Sequence, residues 1–356
     1  MGSDQPTYNV WNKWDKLKTI MLGTCHPLEF YDGIQNDKIR DPLCKITEET
    51  LQDLDYFESV LKDFGCKVLR PPTVYDRIDT WQKGKFRFPI HRSSLQPRDF
   101  QVVVGNKCVI SHFDNKGIAD TLIKYNRKDL IIDPQAIKKS ITGTSDEASI
   151  DPAWDGPFLT VVGNRIYLDT KMFTEHSKKW FKNKFPDFEY VDVSIGGHSD
   201  SCFQTLKPGA ILSLNDIQNY EETFPGWDIC YLPDQSWSKV SPFLDMKGKV
   251  DGKWWVPGEE YNDAFIEFVN TWLSKWVGYV EETVFDVNVL VLDEHHVCVS
   301  NDKNENVNAF LKKHNMEPVH IPWRHRYFWD GGLHCITLDL EREGTKEDYF
   351  NGIYSI

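Results

Sequence analysis

Apolar residues arrive along this chain in short β-rich runs, paired across tight turns. Gln101–Ser111 reads QVVVGNKCVIS, two runs hinged on Gly105-Asn106. Leu159–Leu168 reads LTVVGNRIYL, hinged on Gly163-Asn164, and Phe203–Ser213 reads FQTLKPGAILS, hinged on Pro208-Gly209. Val287–Ser300 turns at Asp293-Glu294, and Leu17–Gly23 (LKTIMLG) reads as a single strand. Turn formers between β-branched runs are the signal of a hairpin. Between the hairpins the spacing becomes helical. Thr47–Phe64 places Leu51, Leu54, Phe57, Val60, Leu61 and Phe64 on one face, and Gly65 stops it. Phe173–Phe181, Asn262–Trp276 and Asn306–His314 read the same way. Short strands are expected after them, at Lys67–Arg70, Phe188–Val191, Tyr279–Glu281 and Glu317–Ile321.

The unit is therefore hairpin, helix, strand, used about five times. Its uneven spacing argues against a stacked solenoid and for α/β units closed around one centre. No linker rich in Pro, Gly or Ser divides the chain, so residues 1–356 are expected to form one domain. A closed ring brings the residues flanking each hairpin to a common site. Those residues are Arg98-Asp99, then Asp155-Gly156-Pro157, then His198-Ser199-Asp200, and finally Gly331-Gly332-Leu333-His334-Cys335.

Charge and composition narrow the function. The net charge of −13 repels phosphate backbones, so nucleic acid is not an expected partner. No apolar run approaches the roughly 20 residues a membrane span needs, and the polar start lacks the regions of a signal peptide. The eight cysteines are scattered without a CxxC pair, as at Val297-Cys298-Val299. That pattern suits reduced thiols in a cytoplasmic protein. His295-His296 and His334-Cys335 are adjacent pairs whose side chains diverge on a strand, so no metal is expected. No cofactor is expected either. The aromatic run Trp323–Trp329 reads as a loop over the site.

Each flanking residue alone has an ordinary reading. Asp155 suits a turn, His198 and Asp200 suit a strand cap, and Cys335 matches seven other thiols. Together they form a set that ordinary structure does not predict. Chemistry on a guanidinium needs such a set. That group is planar and cationic, and two carboxylates grip its forked N–H donors. Its carbon is a poor electrophile, which calls for a thiolate, with a histidine to move protons. Neighbouring carboxylates raise the thiol pKa, and a bound cation would lower it again.

At these residues the sequence resembles the arginine:glycine amidinotransferases of the guanidino-modifying pentein superfamily. The likeness is strongest over Asn288–Tyr349. It extends to His198-Ser199-Asp200-Ser201-Cys202-Phe203 with Pro208-Gly209, to Pro97-Arg98-Asp99 with Val103-Val104-Gly105-Asn106, and to Asn12-Lys13-Trp14-Asp15-Lys16-Leu17. The resemblance implies a pentein-type five-bladed α/β propeller of ββαβ units and a homodimer. It implies that Cys335 attacks the guanidino carbon of L-arginine, releases ornithine and holds an amidino intermediate. His198 would move the protons, and Asp155 and Asp200 would grip the guanidinium. Asp151 competes with Asp155 for its role, and the eight residues from Asp155 to Gly163 favour Asp155. Arg98 and Asp99 would join the substrate site.

Two departures bear on the acceptor amine, glycine or another. Glycine-using members carry an Arg shortly after the Leu-Ser of the fourth hairpin, but Ser213-Leu214-Asn215-Asp216-Ile217 has none. They also carry a serine pair where Glu281 and Glu282 stand here. Two glutamates repel a carboxylate and attract an amine. The alternatives are a deiminase or dihydrolase on the same scaffold, in which water meets the intermediate, and a binding protein without catalysis. The intact Cys335, His198 and Asp200 argue against the second.

Overall fold

The computed structural model describes residues 6–74, 93–111, 115–132, 154–195, 197–214, 217, 219–233, 235, 258–259, 261–273, 286–329 and 331–351. Among them are five three-stranded sheets. Strand β1 (Leu17–Leu22) leads through helix α1 (Asp37–Asp63) to β2 (Lys67–Leu69), which lies parallel to β1. The next three sheets follow one scheme. The hairpin of β3 (Gln101–Val104) and β4 (Lys107–Ile110) continues through α2 (Lys116–Asn126) to β5 (Leu130–Ile132), parallel to β4. The hairpin of β6 (Leu159–Val162) and β7 (Arg165–Asp169) continues through α3 (Glu175–Lys184) to β8 (Glu189–Val193). That of β9 (Phe203–Lys207) and β10 (Ala210–Leu214) passes one helical turn before β11 (Asp228–Leu232).

The fifth sheet comes after α4 (Asp263–Phe268). It consists of the hairpin β12 (Leu290–Asp293) and β13 (His296–Val299), then α5 (Glu305–Lys313) and β14 (Glu317–His320). The last strand, β15 (Thr337–Arg342), pairs antiparallel with β1 and completes the first sheet in the order β15-β1-β2. The chain thus closes its own ring. This is the five-bladed α/β propeller expected from ββαβ repeats.

Burial orders the strands in each blade. The first strands, β3, β6 and β9, are buried almost throughout, whereas the third strands β2, β5 and β14 are partly or largely exposed. The first strands therefore line the centre. The chain enters each of them at one end of the ring and makes its hairpin turn at the other.

The N-terminal segment crosses the turn end. Val10 bonds Gly105 in both directions at 2.8 Å, the Trp11 carbonyl accepts from Gly163 N, Lys13 Nζ donates to Gln204 Oε1 at 2.7 Å, and the Asp15 carbonyl accepts from Arg342 Nη1. The six residues Val10–Asp15 thereby touch several blades in turn. Gly105 and Gly163 both have positive φ, and the face that a side chain would occupy is already filled by Trp11 and by Tyr349 with the Glu347 carbonyl.

Several elements differ from the sequence pattern. Helix α1 begins at Asp37, capped by the Asn36 side chain on Lys38 N, ten residues before the expected start at Thr47, and Ile39, Leu43 and Ile46 already keep its apolar spacing. Pro42, the sixth residue of the helix, cannot donate to the Lys38 carbonyl, which accepts from Asn262 Nδ2 at 2.6 Å instead. The short strands β5 and β11 escaped the pattern, since three to five half-buried residues carry little periodicity, and helix α2 was not expected although it buries Ile118, Ala119, Leu122 and Tyr125. The described part of the expected Asn262–Trp276 helix, Asn262–Leu273, belongs to no blade. It forms α4 and a π-helical turn over Val269–Leu273, packed on α1 through Phe265, Phe268, Val269 and Leu273. The expected strand Tyr279–Glu281 lies outside the described residues. No helix among the described residues is long and apolar enough to cross a membrane.

Candidate active site

Every blade contributes the residues just before its central strand. Arg98 and Asp99 precede β3, Asp155 caps the 3-10 turn before β6, and His198 caps the helical turn Ser199–Cys202 before β9. Asn288 precedes β12 and Cys335 precedes β15. The ring therefore gathers at one end residues that the sequence separates by more than two hundred positions.

The thiol of Cys335 is fully buried and faces Asp200, with Sγ 3.5 Å from Asp200 Oδ2. The same carboxylate oxygen accepts from His334 Nδ1 at 2.6 Å. Burial pushes the Asp200 pKa up, but the His334 hydrogen bond and the nearby His198 and Lys13 outweigh it and hold the carboxyl well below its ordinary range. His334 is driven down to about 3, chiefly by burial and then by Arg98 and Lys13. A neutral imidazole that donates Nδ1–H to an ionised Asp200 satisfies both directions. Asp200 Oδ1 is buried and has no hydrogen-bond partner among the described residues, so the carboxylate retains a free acceptor.

His198 Nε2 lies 3.7 Å from Asp155 Oδ2, and both side chains keep some exposure, at 15% and 29%. This half of the site meets solvent, while Cys335, Asp200 and His334 are almost fully buried. Phe158 packs edge-on against the His198 ring. The loop entering His198 is held by Asp169, whose carboxylate accepts from Ile195 N and Gly197 N at 3.1 and 3.2 Å. Ser199 Oγ donates to the Pro157 carbonyl at 2.6 Å and ties the Asp155 turn to the His198 turn.

Arg98 is fastened to the Cys335 segment. Its Nε donates to the His334 and Thr337 carbonyls at 3.1 and 2.9 Å, and its Nη2 to Asp339 Oδ1 at 2.8 Å. These donors meet protein acceptors. The Asp99 carbonyl accepts from Gly156 N at 2.7 Å, linking the entries of two neighbouring blades. Glu281, Glu282 and Asp151 lie outside the described residues.

The structure gives places in the site to residues for which the sequence implied no role. His334 and Asn288 touch Asp200 and Cys335 directly. Lys13 reaches in from the turn end to line a central cavity with Arg98, Asp200, His334 and Asp339, and burial lowers its pKa to about 8. The shared position before each central strand is the signal that would have found Asn288. The run Trp323–Trp329 braces the Cys335 loop from outside instead of forming a lid. Trp323 Nε1 donates to the Gly331 carbonyl, while Arg324, His325 and Trp329 bond Asp53, Glu49 and Thr50 of α1. None of the eight cysteines is in a disulfide, and among the described residues no three His, Cys, Asp or Glu side chains are placed to hold a metal ion.

No protein-family model matches the chain. Curated relatives do. It is 23% identical over 396 residues to the mitochondrial glycine amidinotransferase of Gallus gallus, covering 96% of this chain and 84% of that protein. It is 21% identical over 387 residues to the L-arginine:L-lysine amidinotransferase of Pseudomonas savastanoi pv. phaseolicola, covering 95% of each. Among solved structures, an amidinotransferase of the saxitoxin biosynthetic pathway from Microseira wollei superposes with a TM-score of 0.66 at 20% identity, over 96% of this chain and 99% of the other. The inosamine-phosphate amidinotransferase of Streptomyces griseus gives 0.65 at 18% identity, over 97% and 99%. Over nearly its whole length this chain is similar to curated amidinotransferases, and it shares the propeller fold of solved ones.

Proposed function

We propose that the protein moves the amidino group of L-arginine to an acceptor amine through a covalent amidino-cysteine at Cys335 and releases ornithine. One observation carries this reading. The Cys335 thiol, a carboxylate with a free buried acceptor (Asp200), and a His–Asp pair (His198–Asp155) meet at the entries to the central strands. Amidinotransferase relatives along 95–96% of the chain support transfer as the reaction class.

The proton path closes on itself. Cys335 gives its proton to His198, leaving thiolate and imidazolium. The thiolate attacks the guanidino carbon while Asp200 Oδ1 takes N–H donors of the cation. The C–N bond to the leaving amine breaks as His198 returns its proton to that nitrogen, and a cationic amidino-thioether remains. The acceptor amine attacks the same carbon and loses a proton to His198. The C–S bond then breaks, and the thiolate–imidazolium pair is restored. Asp155 holds His198 and supports its charged form.

The acceptor is read as an amine other than glycine. Ile217 is buried in the apolar core of the fourth blade, where the glycine-using pattern puts an arginine. The name of the Pseudomonas relative pairs L-arginine with L-lysine, so other acceptors occur among similar proteins. The test is mass spectrometry of the protein mixed with arginine, then with a panel of amines. An amidino adduct on Cys335 and ornithine in solution are expected. Citrulline with ammonia would assign the hydrolase instead, and no adduct on Cys335 with any guanidino compound would refute the mechanism.

A further inference from the structure

We infer that Asn288 is a second functional group on the sulfur of Cys335, holding the thiolate with an N–H while it locks the loop that carries it. The inference rests on Cys335 being the nucleophile proposed above. The Asn288 side chain is buried, and its Oδ1 accepts from both His334 N at 3.0 Å and Cys335 N at 3.2 Å. Backbone N–H groups only donate, so this pair fixes which way the amide points. The amide nitrogen must then face the other way. It stands 2.9 Å from Cys335 Sγ, with the Asp200 carbonyl at 3.3 Å and Ser201 Oγ at 3.4 Å.

The loop is shaped for this contact. A Cβ on Gly332 would come within 2.6–2.8 Å of the Asn288 side chain, and Gly331 has φ +132° with Cys335 Cβ 3.0 Å from where its own Cβ would stand. Only a glycine pair lets the amide approach so closely.

The chemistry explains an amide at this place. Three other blades present aspartates before their central strands: Asp99, Asp155 and Asp200. A carboxylate at 288 would set a second negative charge against sulfur already facing Asp200, and like charges raise a thiol pKa. An amide keeps the acceptor that the loop needs and turns a neutral donor toward the thiolate. A hydrogen bond to a charged group stabilises it more than one to its neutral form, so the contact favours ionisation.

The test is the pH dependence of Cys335 alkylation by iodoacetamide, read at that residue by mass spectrometry so that the other cysteines do not interfere. Asn288→Asp is close to isosteric and keeps the acceptor while losing the donor. Asn288→Ala loses both. Each is expected to move the alkylation midpoint up by about one pH unit or more, slowing the reaction near pH 7 about tenfold or more. A purely structural role would change activity but leave the midpoint where it is. Midpoints equal to that of the parent protein in both variants would overturn the inference, and so would failure of both to fold, which would make Asn288 a scaffold residue. The titration needs no arginine, so absence of an amidino adduct in the parent refutes the proposed reaction without touching this result.

Discussion

Asp200 Oδ2 lies 3.5 Å from Cys335 Sγ, a buried carboxylate set directly against the thiol. The pair is well matched to a cationic substrate and poorly matched to an empty site. Asp200 raises the cost of ionising the sulfur until a guanidinium arrives to neutralise it. A non-reacting arginine analogue should therefore accelerate Cys335 alkylation below the thiol midpoint. Equal rates with and without the analogue would exclude substrate-assisted activation.

Asp200→Asn separates the two duties of this carboxylate. Without the charge, alkylation of Cys335 in the absence of substrate should become faster at a given pH below the midpoint. Adduct formation with arginine should fall by about a hundredfold or more, because the guanidinium loses its ionic partner. Slower alkylation together with normal adduct formation would contradict both assignments.

His198 and Asp155 are predicted to differ in degree. Loss of the proton carrier in His198→Gln should lower kcat about 10²–10⁴-fold. Asp155→Asn leaves the histidine in place and should cost less, with a shifted pH profile for kcat/KM. Steady-state kinetics of both variants across pH decides this. Identical profiles for Asp155→Asn and the parent would remove Asp155 from the proton path.

The buried His334–Asp200 pair makes a prediction about stability against pH. The folded pKa of His334 is depressed to about 3 from an ordinary 6.5, so between these values the unfolded chain binds a proton that the folded chain does not. Stability should then fall as pH drops through that window, on the order of 1 kcal/mol per pH unit from this group. Asp200 and Asp339 are depressed carboxylates, and their contribution is present above the unfolded carboxylate pKa and lost as pH falls below it. Denaturant titrations at pH 7, 5 and 4 should show the decline, and His334→Gln should flatten the part above pH 4. An unchanged slope in that variant would reject the assignment to His334.

Ring closure depends on another buried charge. Arg342 of β15 donates to Asp339 Oδ2, the Asp15 carbonyl and the Val291 carbonyl, each at 2.7 Å, and joins the last strand to the N-terminal segment and to β12. Arg342→Met leaves Asp339 with Arg98 as its one bonded cation among the described residues and leaves two carbonyls without this donor. The expected cost is about 3–5 kcal/mol in denaturant unfolding. A loss under about 1 kcal/mol would show that the strand pairing of β15 with β1 closes the ring unaided.

The sequence by itself determined the repeating unit. Turn residues such as Gly105-Asn106 and Gly163-Asn164 between β-branched runs define hairpins locally, because both the turn and the alternation are properties of neighbouring residues. It also pointed to Asp155, His198, Asp200 and Cys335, since each stands at a blade entry. What it could not reach depends on contacts across the ring. Only the closed structure brings Asn288 to the sulfur, turns His334 inward onto Asp200, and spends the Arg98 guanidinium on the His334 and Thr337 carbonyls and Asp339. The short strands β5 and β11 likewise take their form from packing. Local pattern encodes an element and its entry. The direction of a buried polar side chain is decided by the donors and acceptors that other blades place around it, and those are known only once the ring is closed.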